Sequence, residues 1–358
     1  MKKKVALLAA TAMTVSMLAG CGSTEEAAES TADNAAATEE TTEETTEETD
    51  TTEEAAEDTA DAAADKVYKI GICQLLEHPA LDAATEGFQA ALVELLGEEN
   101  VTFDLQNAQG EQTNCATICT QFVADGDDLI LANATAPLQA AAAATNEIPI
   151  LGTSITDYAT ALDIADWTGA TGTNVSGTSD LAPLEEQENM LVELFPDAKK
   201  VGILYCSAEP NSVYQAQLFE KYLEEDGIEY EEFTAADSNE IQAVVTSACE
   251  SSDVIYIPTD NTMAANTEVI NNVCQPAGVP VVAGEEGICA GCGVATLSIS
   301  YYDIGYKAGE MAYDILVNGA DITTMEVEYA PQVTKKYNAT IAEALGVEIP
   351  ADYEAIAE

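Results

Sequence analysis

The stretch Lys69-Ile70-Gly71-Ile72-Cys73 has a counterpart 131 residues later, Lys200-Val201-Gly202-Ile203-Leu204. Both are short β-rich runs, and each leads through a polar loop into a segment with apolar residues at helical spacing. Two further pairs follow in the same order at offsets of 131 and 125, namely 148–152 with 279–284 and 128–131 with 253–256. Matches in order at nearly constant offset predict two lobes of similar structure.

Segments with helical spacing separate the predicted strands, at about 80–97, 111–124, 137–146, 211–226, 239–250 and 262–275. Strands that alternate with helices predict parallel sheets covered on both faces. The predicted fold class is therefore α/β, with two doubly wound Rossmann-like lobes joined by a multi-strand hinge.

The predicted boundaries are 67–180 for lobe 1 and 181–324 for lobe 2. A helix from near Tyr302 to Val317 is predicted to end lobe 2. The strand at 325–329 and the helix at 338–345 are predicted to return to lobe 1, within about 325–350. The chain would then cross between the lobes several times, around a cleft.

The N-terminus predicts export. Three lysines, an apolar run from Val5 to Leu18 and then Ala19-Gly20-Cys21 resemble a bacterial lipoprotein signal. We interpret 1–20 as the signal peptide and Cys21 as the lipidated residue, which would hold the protein at the outer face of the cell membrane. A secreted protein with a chance Cys21 is the alternative. No later apolar run approaches the roughly 18 residues that a transmembrane helix needs.

Residues 21–66 predict a disordered tether. After Cys21 they are almost entirely Glu, Asp, Thr, Ala and Ser, and seventeen of them are acidic. Such a segment cannot bury a core, and its mutual repulsion favours an extended spacer.

Composition excludes several function classes. The sequence has no arginine, only eleven lysines and a formal net charge of −54 at pH 7. Nucleic acid is therefore not an expected partner. His78 is the only histidine, so neither a catalytic triad nor a histidine-rich zinc site is predicted, and we predict no cofactor and no enzymatic activity.

The cysteines leave several interpretations open. Cys115 and Cys119 are one helical turn apart, and Cys289 and Cys292 form a CxxC motif. The motif is compatible with a disulfide, half a metal site or two packed thiols. Buried thiols or a structural disulfide are favoured over redox chemistry.

The loops that follow the strands are the predicted ligand site, because ligands of open α/β sheets lie at the carboxyl ends of the strands. Helix starts at residues 133–137, 211–212 and 260–262 would hold a carboxylate, and acidic side chains would hold an ammonium group, which indicates an amino acid. The same residues are also ordinary helix caps. The predicted ligand-binding residues are Gln74, Leu76, Thr135, Ala136, Ser154, Asp157, Tyr205, Ser207, Glu209, Asn211, Asp260, Asn261 and Glu285.

Several motifs together resemble the substrate-binding proteins of ABC transporters of the tryptophan/tyrosine type. They lie at 70–82, 106–110, 156–157, 174–180, 201–205, 258–262 and 301–305. The resemblance covers 67 to about 345. It implies a type I periplasmic-binding fold that closes on a small ligand, often an aromatic amino acid, and delivers it to a permease driven by an ATPase. The sequence departs from the family pattern at Cys206, at Glu285 and in the CxxC loop.

Three tyrosines, Tyr158, Tyr205 and Tyr301, are candidate platforms for an aromatic ligand. The alternatives to an amino-acid receptor are a sugar or nucleoside receptor of the same fold and a sensor module for a signalling receptor. An extracytoplasmic enzyme with Glu285 and Glu286 as acid and base is the least favoured.

Overall fold

The fold was established from a computed structural model that describes residues 66–357. The predicted signal peptide, Cys21 and the acidic tether, apart from Lys66, lie outside the described residues. No helix within the described part of the chain has the length and apolar character to cross a membrane.

The first half of the described chain alternates strands and helices, as the periodicity predicts. Apolar strands alternate with helices whose apolar residues face the sheet. A short 3-10 turn, Glu98–Asn100, precedes the second strand. The elements in chain order are β1 (Tyr68–Gln74), α1 (Pro79–Leu96), β2 (Val101–Asn107), α2 (Gln112–Asp125), β3 (Leu129–Asn133), α3 (Thr135–Ala144), β4 (Ile150–Ile155), α4 (Tyr158–Leu162) and β5 (Val175–Ser179).

The second half repeats this alternation up to β10 and then adds two helices and three short strands. The elements are α5 (Leu184–Leu194), β6 (Lys200–Cys206), α6 (Pro210–Asp226), β7 (Glu229–Ala235), α7 (Ile241–Ser251), β8 (Val254–Ile257), α8 (Asn261–Ala264), α9 (Thr267–Ala277), β9 (Val281–Ala283), α10 (Glu286–Cys292), β10 (Ala295–Ser298), α11 (Tyr301–Leu316), β11 (Glu328–Tyr329), β12 (Thr334–Tyr337), α12 (Ala339–Leu345) and β13 (Glu354–Ala355).

Two sheets share one topology, which confirms the predicted repeat. Within the described residues the lobe 1 sheet has the order β11-β5-β4-β3-β1-β2, and the lobe 2 sheet has the order β13-β12-β10-β9-β8-β6-β7. The repeat extends to the register, since Ile70 pairs with Leu129 in lobe 1 and Val201 pairs with Val254 in lobe 2. The strand order β2-β1-β3-β4-β5 recurs as β7-β6-β8-β9-β10, the doubly wound arrangement.

The predicted lobe boundary fails at α11, which packs on lobe 1 rather than ending lobe 2. Ala308, Met311 and Ala312 of α11 share a buried cluster with Ile70 and Phe88 of lobe 1. The contact with α1 is close because it is made by glycines and alanines. A β-carbon at Gly305 would lie 1.9 Å from the carbonyl oxygen of Ala84. Helical spacing predicted the helix but carried no information about its partner.

The predicted C-terminal return is also only partly correct. Strand β11 pairs with β5 and so belongs to lobe 1. Strand β12, however, is antiparallel to β10, and β13 pairs with β12. Ile341 and Ala342 of α12 are buried with Val201 and Leu297 in lobe 2. The last segment therefore closes lobe 2, because its apolar face fits that sheet edge.

Three connections cross between the lobes and form the hinge. They are the segments between β5 and α5, between β10 and α11, and between β11 and β12. This agrees with the predicted multi-strand hinge. The carboxyl ends of the parallel strands of the two sheets lie on either side of the hinge.

Candidate ligand-binding cleft

The cleft between the lobes is lined by loops that follow the parallel strands. Lobe 1, including the start of α11, contributes His78, Leu81, Ser154, Thr156, Asp180 and Tyr301, and lobe 2 contributes Asn211, Thr259, Asp260, Asn261, Ala264 and Glu285. The lobes are closed, and the space left between these residues is only about 10 Å³. That is about the volume that one water molecule needs. A molecule the size of an amino acid therefore fits only when the lobes separate.

Within residues 66–357, two side-chain hydrogen bonds bridge the closed lobes. His78 Nε2 lies 3.2 Å from Asn261 Oδ1, and Gln215 Nε2 donates to Thr156 Oγ1 at 3.4 Å. Asn261 uses its own amide nitrogen to donate to Glu209, so its Oδ1 is an acceptor and His78 Nε2 carries the hydrogen. Burial lowers the pKa of His78 below its ordinary value. The ring is therefore neutral, and its Nδ1 has an unused lone pair.

Asp180 is a buried carboxylate at the edge of the cleft. Its two oxygens accept hydrogen bonds from the hydroxyls of Thr156, at 3.0 Å, and Tyr301, at 2.9 Å. Burial raises the pKa of Asp180 to about 6, although both hydrogen bonds act in the opposite direction. The Asp180 carboxylate is therefore costly to keep charged when the lobes are closed.

Two more buried carboxyls come from lobe 2. Burial raises the pKa of Glu285 to about 7, against hydrogen bonds from the backbone amides of Gly287 and Ile288. Burial and then repulsion by Glu209 raise the pKa of Asp260. Asp260 accepts hydrogen bonds from the backbone amides of Cys206, at 2.6 Å, and Met263, at 2.8 Å.

The cleft is rich in acceptors and poor in positive charge. None of the described side chains that line it is a lysine, and His78 is neutral. The unused acceptor His78 Nδ1 and the hydroxyl oxygen of Ser154 are both buried there without a partner among residues 66–357. Ser154 also has a positive φ of 57°, a backbone strain that often marks a functional site. Such a site is suited to a cation with several N–H donors.

One predicted anion site, the helix start at 260–262, is occupied by a carboxylate of the protein itself. Glu209 accepts hydrogen bonds from the backbone amides of Asn261 and Thr262, at 3.1 and 2.8 Å. Glu285 caps α10 in the same way, and Asp157 accepts from Thr160 N in α4. The predicted start at 260–262 therefore cannot receive a ligand carboxylate, because Glu209 already accepts from its backbone amides. The predicted starts at 133–137 and 211–212 have no side-chain cap.

The structure brings together five of the residues predicted from the sequence, and they line the cleft: Ser154, Asn211, Asp260, Asn261 and Glu285. Glu209 lies behind them and positions Asn261. The sequence did not predict His78, Thr156 or Asp180 as site residues, whereas Tyr301 is one of the three predicted aromatic platforms and does line the cleft. Asp180 and Thr156 directly follow β5 and β4 and belong to the motifs at 174–180 and 156–157, and this position at the strand ends is the signal that could have identified them.

The remaining predicted residues do not line the cleft. Gln74 is buried and donates to Asp82, while Tyr205 packs in the lobe 2 core and donates to Glu232. Tyr158 is likewise a core residue, and its hydroxyl donates to the Thr178 carbonyl. Tyr205 and Tyr158 are buried in the hydrophobic cores of their own lobes and therefore do not reach the cleft. The others outside the lining are Leu76, Thr135, Ala136, Asp157 and Ser207.

A larger cavity of about 670 Å³ adjoins the cleft. Glu285 and Tyr301 line both spaces. Its other walls include the start of α1, the start of α10 and the hinge connections, with an ion pair between Lys336 and Glu286 at 2.6 Å. The apolar part of its wall consists of Pro79, Ala80, Ala83, Ala290, Ile299, Pro331 and Ile356.

Comparison with known proteins identifies the family. A family model described as ABC transporter substrate binding protein matches residues 69–358. The chain belongs to the ABC transporter substrate-binding protein family. The resemblance noted in the sequence is thereby confirmed. Members of this family are binding proteins that work outside the cytoplasm.

Individual relatives support the assignment of this substrate-binding protein. It is 33% identical to a tyrosine-binding protein of Clostridioides difficile (strain R20291) over 331 residues, which cover 91% of this chain and 88% of the relative. It is 32% identical to the ABC domain from Streptococcus pneumoniae solved in complex with L-Trp, with a TM-score of 0.78 and coverage of 81% of this chain and 100% of the other. This likeness confirms the type I periplasmic-binding fold.

A third relative bears on the conformation of the substrate-binding protein. The ligand-free, open structure of a substrate-binding protein with adhesive properties from Clostridium difficile is 36% identical, has a TM-score of 0.64 and covers 81% of this chain and 99% of the other. The lower TM-score to an open structure agrees with the closed lobes seen here.

The raised pKa values of Asp180 and Glu285 predict a pH-dependent stability. A carboxyl whose folded pKa is raised stabilises the protein at low pH, and this contribution is lost as the pH rises through about 6 for Asp180 and about 7 for Glu285. We expect the unfolding free energy of the ligand-free protein to fall between pH 5 and pH 8. Asp180→Asn should remove about 1.4 kcal/mol of that fall, because only about one pH unit of the Asp180 titration lies above pH 5.

Urea denaturation at pH 5, 6, 7 and 8 measures this effect. Glu250→Gln, at an exposed position on α7, is the control and should keep the full pH dependence. Equal pH dependence in the wild type and Asp180→Asn would contradict the prediction.

Proposed function

We propose that the protein binds a free aromatic amino acid between its lobes and delivers it to an ABC permease that an ATPase drives. The observation that carries the proposal is the convergence of Asp180, Asp260 and Glu285 in a buried cleft without a lysine. The relatives support the ligand class, since one is named a tyrosine-binding protein and another was solved with L-Trp.

The ammonium group of the ligand would lie among the carboxyls of the cleft. An ammonium group has three donors, and the carboxyls of Asp180 and Glu285 together with His78 Nδ1 are acceptors that face the same space. Charge-assisted hydrogen bonds of this kind are about twice as strong as neutral ones. The ligand would thus replace the protons that the carboxyls bind in the ligand-free state.

The carboxylate of the ligand would lie at the start of α1. This helix begins at Pro79, and its N-cap residue His78 makes no side-chain capping hydrogen bond. The first backbone amides of a helix lack intrahelical acceptors and carry the positive end of the helix dipole. Ala80 and Leu81 of this first turn line the two adjoining spaces. An anion here needs no arginine.

The aromatic ring would extend into the larger cavity. That cavity begins where the cleft ends, at Glu285 and Tyr301, and its volume of about 670 Å³ exceeds that of the cleft. Ala80, Ala83 and Ile299 provide apolar contact. The ring of Tyr301 would add roughly 0.5–1.5 kcal/mol by stacking.

Two functions other than amino-acid transport are alternatives that the experiments below distinguish. A sugar or nucleoside receptor of the same fold would not need three buried carboxyls with raised pKa values. A sensor module would use the same closed state to engage a signalling receptor. The membrane anchor at Cys21, the permease and the ATPase are proposals that rest on the sequence and on the family.

The ammonium site predicts a strong dependence on the free amino group. We expect L-tyrosine or L-tryptophan to bind at least 100-fold more tightly than its N-acetyl derivative, because acetylation removes the positive charge. Asp180→Asn and Glu285→Gln should each weaken binding by about 10- to 100-fold. Isothermal titration calorimetry measures these affinities, with Glu250→Gln as the control. Tighter binding of a sugar or nucleoside than of any amino acid would overturn the proposal.

The ring site predicts that filling the larger cavity blocks aromatic ligands. Ala83→Phe places a ring in that cavity and should weaken tryptophan binding by at least about 10-fold, a loss of about 1.4 kcal/mol. Ala116→Phe, on the exposed face of α2, is the matched control. Unchanged affinity in Ala83→Phe, with folding verified by circular dichroism, would place the ring elsewhere.

The anchor predicts lipid attachment at Cys21. Cells that express the full chain and are fed an alkyne-labelled fatty acid should incorporate the label into this protein, and Cys21→Ser should abolish the incorporation. Cys206→Ser, a change at a buried core position, should label like the wild type. Labelling that persists in Cys21→Ser would contradict the anchor.

A further inference from the structure

Two thiols in lobe 2 lie in direct contact. Cys249 near the end of α7 and Cys274 near the end of α9 are on neighbouring helices, and their sulfur atoms are 3.6 Å apart, at hydrogen-bond distance. Both pack on the same core cluster, which also contains Met263 and Ala264 of α8. The contact joins residues that are 25 positions apart in the sequence.

This pair differs from the other cysteines in its access to solvent. Among the eight cysteines within residues 66–357, Cys249 alone is partly exposed, and the others are buried. Cys289 and Cys292 of the CxxC motif lie inside the lobe 2 core. Cys73, Cys115 and Cys119 form a separate group inside lobe 1. An oxidant in solution can therefore reach Cys249 first.

We propose that Cys249 and Cys274 form a disulfide that ties α7 to α9. The sulfurs are already in contact, and they must approach by about 1.5 Å to reach the disulfide bond length. Substrate-binding proteins of this family work outside the cytoplasm, where disulfides form and persist. The disulfide would form whichever ligand the cleft binds.

The reaction is an exchange with an external disulfide, either of a small molecule or of an oxidoreductase. The Cys249 thiolate attacks one sulfur of that disulfide, forms a mixed disulfide and releases the first thiol. The Cys274 thiolate then attacks the Cys249 sulfur and releases the second thiol. The protein loses two electrons and two protons, and the external disulfide is reduced to two thiols. The hydrogen bond to Cys274 lowers the pKa of Cys249, which favours the first step.

The disulfide would stabilise the part of lobe 2 that lines the cleft. The loop that it closes runs from α7 through β8 and α8 to α9, and it includes Asp260 and Asn261. A crosslink over a loop of this length reduces the conformational entropy of the unfolded chain. The oxidised protein should therefore unfold at a higher temperature than the reduced protein.

Peptide mapping of the full chain tests the bond directly. The protein is incubated with oxidised glutathione, free thiols are alkylated with iodoacetamide, and the digest is analysed by mass spectrometry without reduction. We expect a linked pair of peptides that contains Cys249 and Cys274 and is lighter than their sum by two hydrogen atoms. Alkylation of both residues, a glutathione adduct that remains on Cys249, or a link to another cysteine would overturn the proposal.

Thermal unfolding provides a second test. Dithiothreitol should lower the melting temperature of the oxidised protein by roughly 5 °C or more. Cys249→Ser should abolish this difference, and the partly exposed position tolerates the change. Cys206→Ser is the control and should keep it, because Cys206 contacts the Ala236 carbonyl and lies outside the pair. An equal response to dithiothreitol in the wild type and Cys249→Ser would contradict the bond.

Discussion

The burial of carboxyl groups between two lobes without a compensating lysine is the constraint on which the function of this protein depends. Asp180, Asp260 and Glu285 are at most 4% exposed in the closed form. A buried carboxylate without a counter-ion is unfavourable, so the closed state must either bind protons or receive a cation. The same electrostatic cost thus links closure, pH and ligand choice. A ligand with an ammonium group lowers the cost of closure, whereas a neutral ligand of the same shape leaves it in place.

The two lobes can enclose these carboxyl groups between them because both lobes have the same topology. In each lobe the parallel strands end at the same edge of the sheet, and the loops that follow them face the other lobe. The hinge keeps the two edges opposed while it permits separation. Helix α11 leaves the hinge and packs on α1 through Gly305 and Gly87, where a β-carbon would collide with backbone carbonyls of the partner helix. This close contact fixes the start of α1, which is also where the two ligand spaces meet.

Side-chain capping and ligand binding compete for the same backbone amides at the starts of helices. The helix starts of α8 and α10 offer backbone amides to the cleft, but Glu209 and Glu285 occupy them. Their carboxylates thereby become rigid acceptors instead of leaving anion sites open. The start of α1 is different, because His78 does not cap it and instead bridges to Asn261 across the cleft. The polarity of the site therefore follows from which helices are capped by an acid and which are not.

The sequence by itself determined the α/β class, the two-lobe repeat, the absence of arginine and most of the helices and strands, because these depend on periodicity, composition and spacing along the chain. It also located five cleft residues, since loops after parallel strands converge wherever the sheet is placed. It could not assign α11 to lobe 1 or α12 to lobe 2, because an amphipathic helix does not specify its partner. It could not separate Tyr205, a core residue, from Tyr301, a cleft residue, because both are buried aromatics near strand ends. Only the tertiary structure decided those points, together with the contact between Cys249 and Cys274, since they depend on side-chain direction and on packing between segments distant in sequence.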